Sequence, residues 1–402
     1  FRGMRLRSSL FLLICCVVLA ACLPPAFRSA ATPSPHGVSP SEQILVAHLF
    51  TPNAGWVLTT DRVLTTADGG ATWADVTPSG TVTTSVHVVA PGSAPSPNAR
   101  ALQAAFFLNP SQAWAVLSGP ADYTACGQVP LDLFSSTDGG RHWTSRPMRA
   151  TTQCDTPGPV YLTFIDAMHG WLIVDQGSNS NFTRYDGFQT TDGGVTWAPV
   201  EYPQSAPLVF LNRRDGFSVG GGGYPTSGAY GTHDGGQTWA RLTLPQLSFE
   251  APVFTDGGNG VIAGAVTDTA GRTSSLVFYS SSDSGLSWRL ASRVTNPEPD
   301  GAAQFVGAVN RSVWLAQFLG PGPVNGRTYA RLKRTQDGGR TWTWLPASIT
   351  GAFAGDISFA GTAGLGIVVD AGCRGFKTDC LTNWTLYRTL DAGGHWAQVA
   401  VT

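Results

Sequence analysis

Charge is scarce in this sequence. Asp, Glu, Lys and Arg make up 13% of its 402 residues, and the formal net charge is −1. Nucleic-acid binding calls for a basic patch or stripe, so no nucleic-acid partner is expected. Seven histidines are present and no Cys-x-x-Cys pair accompanies them. That leaves no ligand set of the zinc type, and neither a metal nor a cofactor is expected. No Gly-rich loop closing on Lys and Ser/Thr, as phosphate binding requires, occurs. The longest apolar run, Leu10 to Ala21, has 12 residues. A membrane-spanning helix needs about 20.

Glycine, at 48 residues, is abundant, and its distribution follows a repeat. The octapeptide Ser/Thr-x-Asp-x-Gly-x-x-Trp begins at Thr66, Ser136, Thr190, Thr232, Ser281, Thr335 and Thr389. Its aspartates are Asp68, Asp138, Asp192, Asp234, Asp283, Asp337 and Asp391. Its tryptophans are Trp73, Trp143, Trp197, Trp239, Trp288, Trp342 and Trp396. From one Asp to the next the step is 42 to 70 residues, with a mean of about 54, which is the length of a four-stranded blade. Asp-Gly and Gly-Gly between apolar runs accept the positive φ of a tight hairpin. The Asp carboxylate can accept backbone N–H groups of the turn, and the Trp opens the outgoing strand with a large apolar surface. These aspartates read as hairpin locks rather than as ligands, because a calcium loop needs further acids at alternating positions and a closing Glu.

These residues resemble the Asp-box, or BNR repeat, of sialidases, sortilin-type receptors and some glycanases. The longer unit pairs a Phe-containing strand with a following Gly-Trp and then the octapeptide. It reads Phe50 to Gly55-Trp56, Phe164 to Gly170-Trp171 and Phe210 to Gly216-Phe217, with looser forms at Ala113-Trp114, Val313-Trp314 and Gly364-Leu365. Over about residues 44–402 it is most similar to the photosystem II stability/assembly factors and their bacterial relatives. The resemblance implies an all-β fold, a seven-bladed β-propeller of four-stranded antiparallel blades with an octapeptide in each third-to-fourth-strand turn. Trp56, Trp114, Trp171 and Trp314 fall at second-strand positions and are expected in the packing between blades.

Residues 1–21 read as a lipoprotein signal peptide. Arg5 and Arg7 precede the apolar run, and Leu19-Ala20-Ala21-Cys22 resembles a bacterial lipobox with Cys22 as the lipid attachment site. Residues 22–43 are rich in Pro, Ser and Ala and read as a semi-rigid tether. The expected location is extracytoplasmic, on the bacterial membrane, with membrane contact through the lipid. Beyond such a signal, Cys126, Cys154, Cys373 and Cys380 form an even set. Alternating strand direction places Cys126 and Cys154 on one face and Cys373 and Cys380 in one loop. The expected disulfides are Cys126–Cys154 and Cys373–Cys380, with free thiols as the alternative.

The second-to-third-strand loops and the connections between blades share the face opposite the octapeptide turns. That loop face carries most of the length variation, and binding commonly resides in such loops. Its candidate residues are Tyr123, Arg184, Tyr185, Tyr224, Arg272, Arg327 and Lys377. Acids outside the octapeptides that could lie there are Asp122, Asp132, Asp175, Asp186, Asp268 and Asp379, and their spacing singles out no pair. The Arg-Ile-Pro motif of sialidases is absent, and sialidases have six blades rather than seven. The sequence therefore reads as a non-catalytic propeller that binds a protein partner at or near the membrane, such as a complex under assembly, with no catalytic residues. The alternative is a cell-surface glycan-binding protein or a sialidase-like glycoside hydrolase.

Overall fold

The computed structural model describes residues 42–81, 100–119, 128–153, 159–179, 182–203, 208–220, 228–245, 247–255, 258–267, 273–297, 301–320, 329–374 and 379–401. Cys22, Cys126, Cys154, Tyr123, Tyr224, Arg272, Arg327 and Lys377 lie outside them. Seven antiparallel sheets follow one another, each with its strands in sequence order. The protein is a seven-bladed β-propeller. The blades span residues 44–75, 101–153, 160–199, 208–241, 248–295, 303–350 and 352–399. No helix among the described residues is long and apolar enough to cross a membrane.

The first strands of neighbouring blades touch one another, so they line the axis. The second strands form the packed belt around it. Trp171 stacks on Phe210 of the next blade at 3.6 Å and 6°, and Trp114 stacks on Phe164 at 3.8 Å and 5°. Trp56, Trp114, Trp171 and Trp314 are all buried, as close packing of aromatic faces requires.

Each octapeptide forms the same knot. In the first, the Thr66 hydroxyl donates to Asp68 Oδ1 at 2.9 Å and accepts the Gly70 N–H at 2.8 Å. Asp68 then accepts the Thr72 backbone N–H at 2.9 Å and the Thr72 hydroxyl at 2.6 Å. The seventh position, open in the sequence motif, thus supplies a second side-chain partner. It is His142 in blade 2, Ser287 in blade 5 and His395 in blade 7, each bonded to its own Asp. These bonds hold the carboxylates low. The Thr72 hydroxyl and then its backbone N–H bring Asp68 to about 2. The fifth position needs glycine, with φ of +92° at Gly70 and +91° at Gly339.

The ring closes by side-chain contact rather than by a shared sheet. Blade 1 takes all its strands from residues 44–75 and blade 7 from residues 352–399. Ile44, Leu49, Val57 and Leu64 pack against Ala363, Leu365, Ile367 and Leu386. Trp73 Nε1 donates to the Ala400 carbonyl at 2.9 Å, and the Leu49 N–H donates to Ser358 Oγ at 3.0 Å.

Two of the axial strands are broken. Blade 5 has Ser248–Phe249 and Val253–Phe254, and blade 7 has Ala352–Phe353 and Ser358–Ala360. Phe249 faces Gly264 whereas Val253 faces Val261, and Phe353 faces Val368 whereas Ser358 faces Leu365. The first strand therefore gains residues over its partner, as in a β-bulge. Pro252 lacks an N–H for the ladder. Gly355 has φ +81°, conformational space that an L side chain resists. By contrast, Val160–Phe164 of blade 3 pairs without interruption.

Candidate functional site: an acidic arc on the axis

Each break carries an acid. Glu250 falls between the two pieces of the blade 5 axial strand, and Asp356 between those of blade 7. Blade 6 lies between them, and its axial strand Ala303–Ala308 presents Gln304. Gln304 hydrogen-bonds Glu250. The opposite end of the Gln304 amide is already committed, since its Oε1 accepts Gln317 Nε2 at 2.8 Å. The NH2 group is thus the end that faces Glu250. Gln317 is fully buried and is fixed to the blade 7 backbone from both ends. Its Nε2 donates to the Phe353 carbonyl at 2.9 Å and its Oε1 accepts the Phe353 N–H at 2.9 Å. One glutamine relay therefore spans blades 5, 6 and 7, and it fixes Gln304 against Glu250 and the strand that leads to Asp356.

The electrostatics follow from this enclosure. Burial, reinforced by the negative charge of Asp356, pushes Glu250 well above the usual carboxylate range against the opposing bond from Gln304. Burial alone pushes Asp356 up to about 6. Solvent still reaches both groups, with Glu250 half-buried and Asp356 exposed. Side chains hemmed in by seven inner strands yet open to an axial channel have this combination. The arc continues into blade 1, where the Ser358 hydroxyl lies 3.0 Å from His48 Nδ1. Ser358 Oγ also accepts the Leu49 N–H at 3.0 Å. Burial lowers the His48 pKa, and the ring is neutral at neutral pH. Across the axis, Val160, Leu162 and Leu208 make the first strands of blades 3 and 4 predominantly apolar.

The acids expected on the loop face are placed differently. Asp132 is ion-paired with Arg100, and Asp186 accepts Gln176 Nε2 at 2.8 Å. Asp122 and Asp268 lie outside the described residues. Tyr185 sits in the third strand of blade 3, half-buried, with its hydroxyl donating to the Tyr202 carbonyl. Arg184 precedes it in the same strand. In blade 7 the backbone register sets Cys373 directly opposite Cys380. Gly216–Gly220 spells Gly-x-Ser-x-Gly, but it is a strand with Ser218 fully buried. It is not the exposed strand-to-helix turn of a nucleophilic serine.

No protein-family model and no curated protein matches the sequence. Solved structures do. A GH74 xyloglucanase from Xanthomonas campestris is 14% identical, with a TM-score of 0.52, over 88% of this chain and 54% of that one. An ulvan lyase of polysaccharide lyase family PL25 is 10% identical over 90% and 96% of the two chains, with a TM-score of 0.46. A sialidase from Streptococcus pneumoniae is 11% identical over 74% and 60%, with a TM-score of 0.30. The chain spans about half the length of the xyloglucanase. At 14% identity the match to the xyloglucanase establishes architecture, a propeller like that of a glycoside hydrolase. The expectation of a non-catalytic propeller serving a protein partner is corrected here. The propeller matched over most of this chain belongs to an enzyme. The axis also holds two acids that were not among the expected loop-face candidates.

Proposed function

We propose that this propeller acts on carbohydrate and cleaves a glycosidic bond at its axis, with Glu250 and Asp356 as the working acids. The observation that carries the reading is the acid pair itself. Two carboxyls on alternate blades lie close enough for the charge of Asp356 to raise Glu250, and a glutamine relay links Glu250 to the strand that leads to Asp356. Glycosidases of the two-carboxylate type need one protonated acid for the leaving oxygen and one ionised group as base or nucleophile. Environments that hold the two groups at different protonation levels divide those roles. Glu250, pushed well above the usual carboxylate range by burial, is assigned the role of the acid. Asp356, at about 6, is the group that ionises by neutral pH. The acidic arc suits the hydroxyls of a sugar ring. The xyloglucanase with the same architecture supports polysaccharide as the substrate class.

The test is release of reducing ends from a polysaccharide panel that includes xyloglucan. Glu250→Gln and Asp356→Asn should each lower kcat/KM by about 10²- to 10⁴-fold while circular dichroism stays unchanged. The reading fails if the wild type cleaves nothing on the panel, or if both variants keep the full rate.

A further inference from the structure

A second site lies away from the acidic arc. Blades 5 and 6 part on the octapeptide face to leave a cleft of about 580 Å³, within the range of about 300–1,000 Å³ usual for small-ligand sites. Three arginines line it. Arg289 follows the blade 5 octapeptide, Arg340 lies inside that of blade 6, and Arg311 tips the turn between the first two strands of blade 6. Ser282, Ser287 and Asn310 add neutral polar groups, and the buried Trp314 contributes to the lining.

The arginines outnumber the carboxylates of the lining three to one. All three are exposed, and among the described residues none makes a side-chain hydrogen bond or ion pair. The one carboxylate in the cleft lining, Asp337, is bonded within its own turn. It accepts the Thr335 hydroxyl at 2.8 Å, the Thr341 N–H at 2.8 Å and the Thr341 hydroxyl at 2.7 Å. Arg141 and Arg146 are likewise exposed and unpaired among the described residues, but other arginines are engaged. Arg62 is bound by Glu42 through both nitrogens, Arg100 by Asp132, and Arg213 by Asp166. Arg334 and Arg388 reach carbonyls of the next octapeptide turn and of Pro52. Three unpaired guanidinium groups around one concavity, in a chain of net charge −1, concentrate positive potential there. Guanidinium forks match planar or tetrahedral oxyanions through paired N–H bonds.

We infer that this cleft is an accessory binding site for an acidic saccharide, taking a carboxylate or sulfate substituent on Arg289, Arg311 and Arg340. The Ser282 hydroxyl and the Asn310 NH2 group are then placed to meet ring hydroxyls, whereas the Ser287 hydroxyl is committed to Asp283 and the Asn310 oxygen to the Ser312 and Val313 N–H groups. The inference is independent of cleavage at the axis, because it concerns binding on the octapeptide face.

Isothermal titration of the full chain with trigalacturonate, and in parallel with inorganic sulfate and a neutral xylo-oligosaccharide, tests it. The same titrations on the Glu250→Gln/Asp356→Asn double variant separate this site from the axial one. Saturable trigalacturonate binding is expected in both proteins. It should weaken about tenfold for each of Arg311→Ala and Arg340→Ala, disappear in the triple arginine variant, and fade as salt rises. The neutral sugar should not bind at this site. Melting temperature checks that the triple variant is folded, and charge-keeping Arg→Lys variants provide a second series with partial retention expected. Absence of saturable binding overturns the inference. So does binding that survives in the folded triple variant, or that is lost in the axial double variant. Sulfate alone binding as tightly as trigalacturonate overturns the saccharide assignment.

Discussion

A carboxyl group's response to pH is written by its neighbours, and two groups of residues here respond in opposite directions. Asp68 and its counterparts Asp192, Asp234 and Asp337 are lowered from 3.8 to about 2, foremost by the threonine hydroxyl at the seventh octapeptide position. A lowered folded value means stability that is present above the ordinary carboxylate range and is lost as pH falls through about 2. Asp356 is raised from 3.8 to about 6 by burial. Its contribution is complete below the ordinary range and is lost as pH rises through about 6. Asp356→Asn should therefore melt progressively higher than the wild type as pH climbs from about 4 to about 7, with a plateau beyond. A melting-temperature difference that stays flat over that window would show that the channel does not enclose this carboxyl. The seventh position was open in the sequence motif although Thr72, His142, Thr196, Thr238, Ser287, Thr341 and His395 all carry a donor there. The information was present, and what was missing was a reason to look at that position.

Within a blade, the second strand bears most of the packing. Trp171 is 1% exposed and stacked on Phe210, and its Nε1 reaches the Gly235 carbonyl at 3.4 Å. Trp171→Ala removes a buried indole between two blades and should cost about 3–5 kcal/mol in denaturant unfolding. Trp344 is 36% exposed on the outermost strand of blade 6, under Arg331 at 4.1 Å and Lys333 at 4.6 Å. Its replacement by Ala should cost about 1 kcal/mol. Equal costs at the two sites would mean that packing between blades does not dominate stability. The elements were legible because every repeat restates the same strand, turn and octapeptide. The acids were not, because they sit where two repeats depart from the rule. Phe249 and Phe254 flank Glu250, and Phe353 and Phe359 flank Asp356. A doubled Phe around an acid, with Pro252 in one and Gly355 in the other, was the available sign of a broken axial strand.

For the whole molecule, seven units fixed the blade number in advance, while the manner of closure depended on contacts far apart in sequence. Ile44 and Val401 share one hydrophobic cluster. A circular permutant that links residue 401 to residue 44 and opens between blades 3 and 4 should therefore keep its strand signal in circular dichroism and a single thermal transition. A permutant that fails to fold would show that the order of blades in the chain, and not only their contacts, is required for the ring. Six of the seven seams are spanned by the polypeptide itself. The seventh, between blades 7 and 1, is spanned among the described residues by packing, by Trp73 on Ala400, by Arg388 on the Pro52 carbonyl and by Ser358 with His48 and Leu49. Parting it breaks no rung of any sheet, so the one strand amide that reports the movement is Leu49, whose N–H is held by Ser358 across the seam, and the rest of the signal is in side chains. Mechanically the molecule is a split washer rather than a hoop, and its gap opens two residues from Asp356.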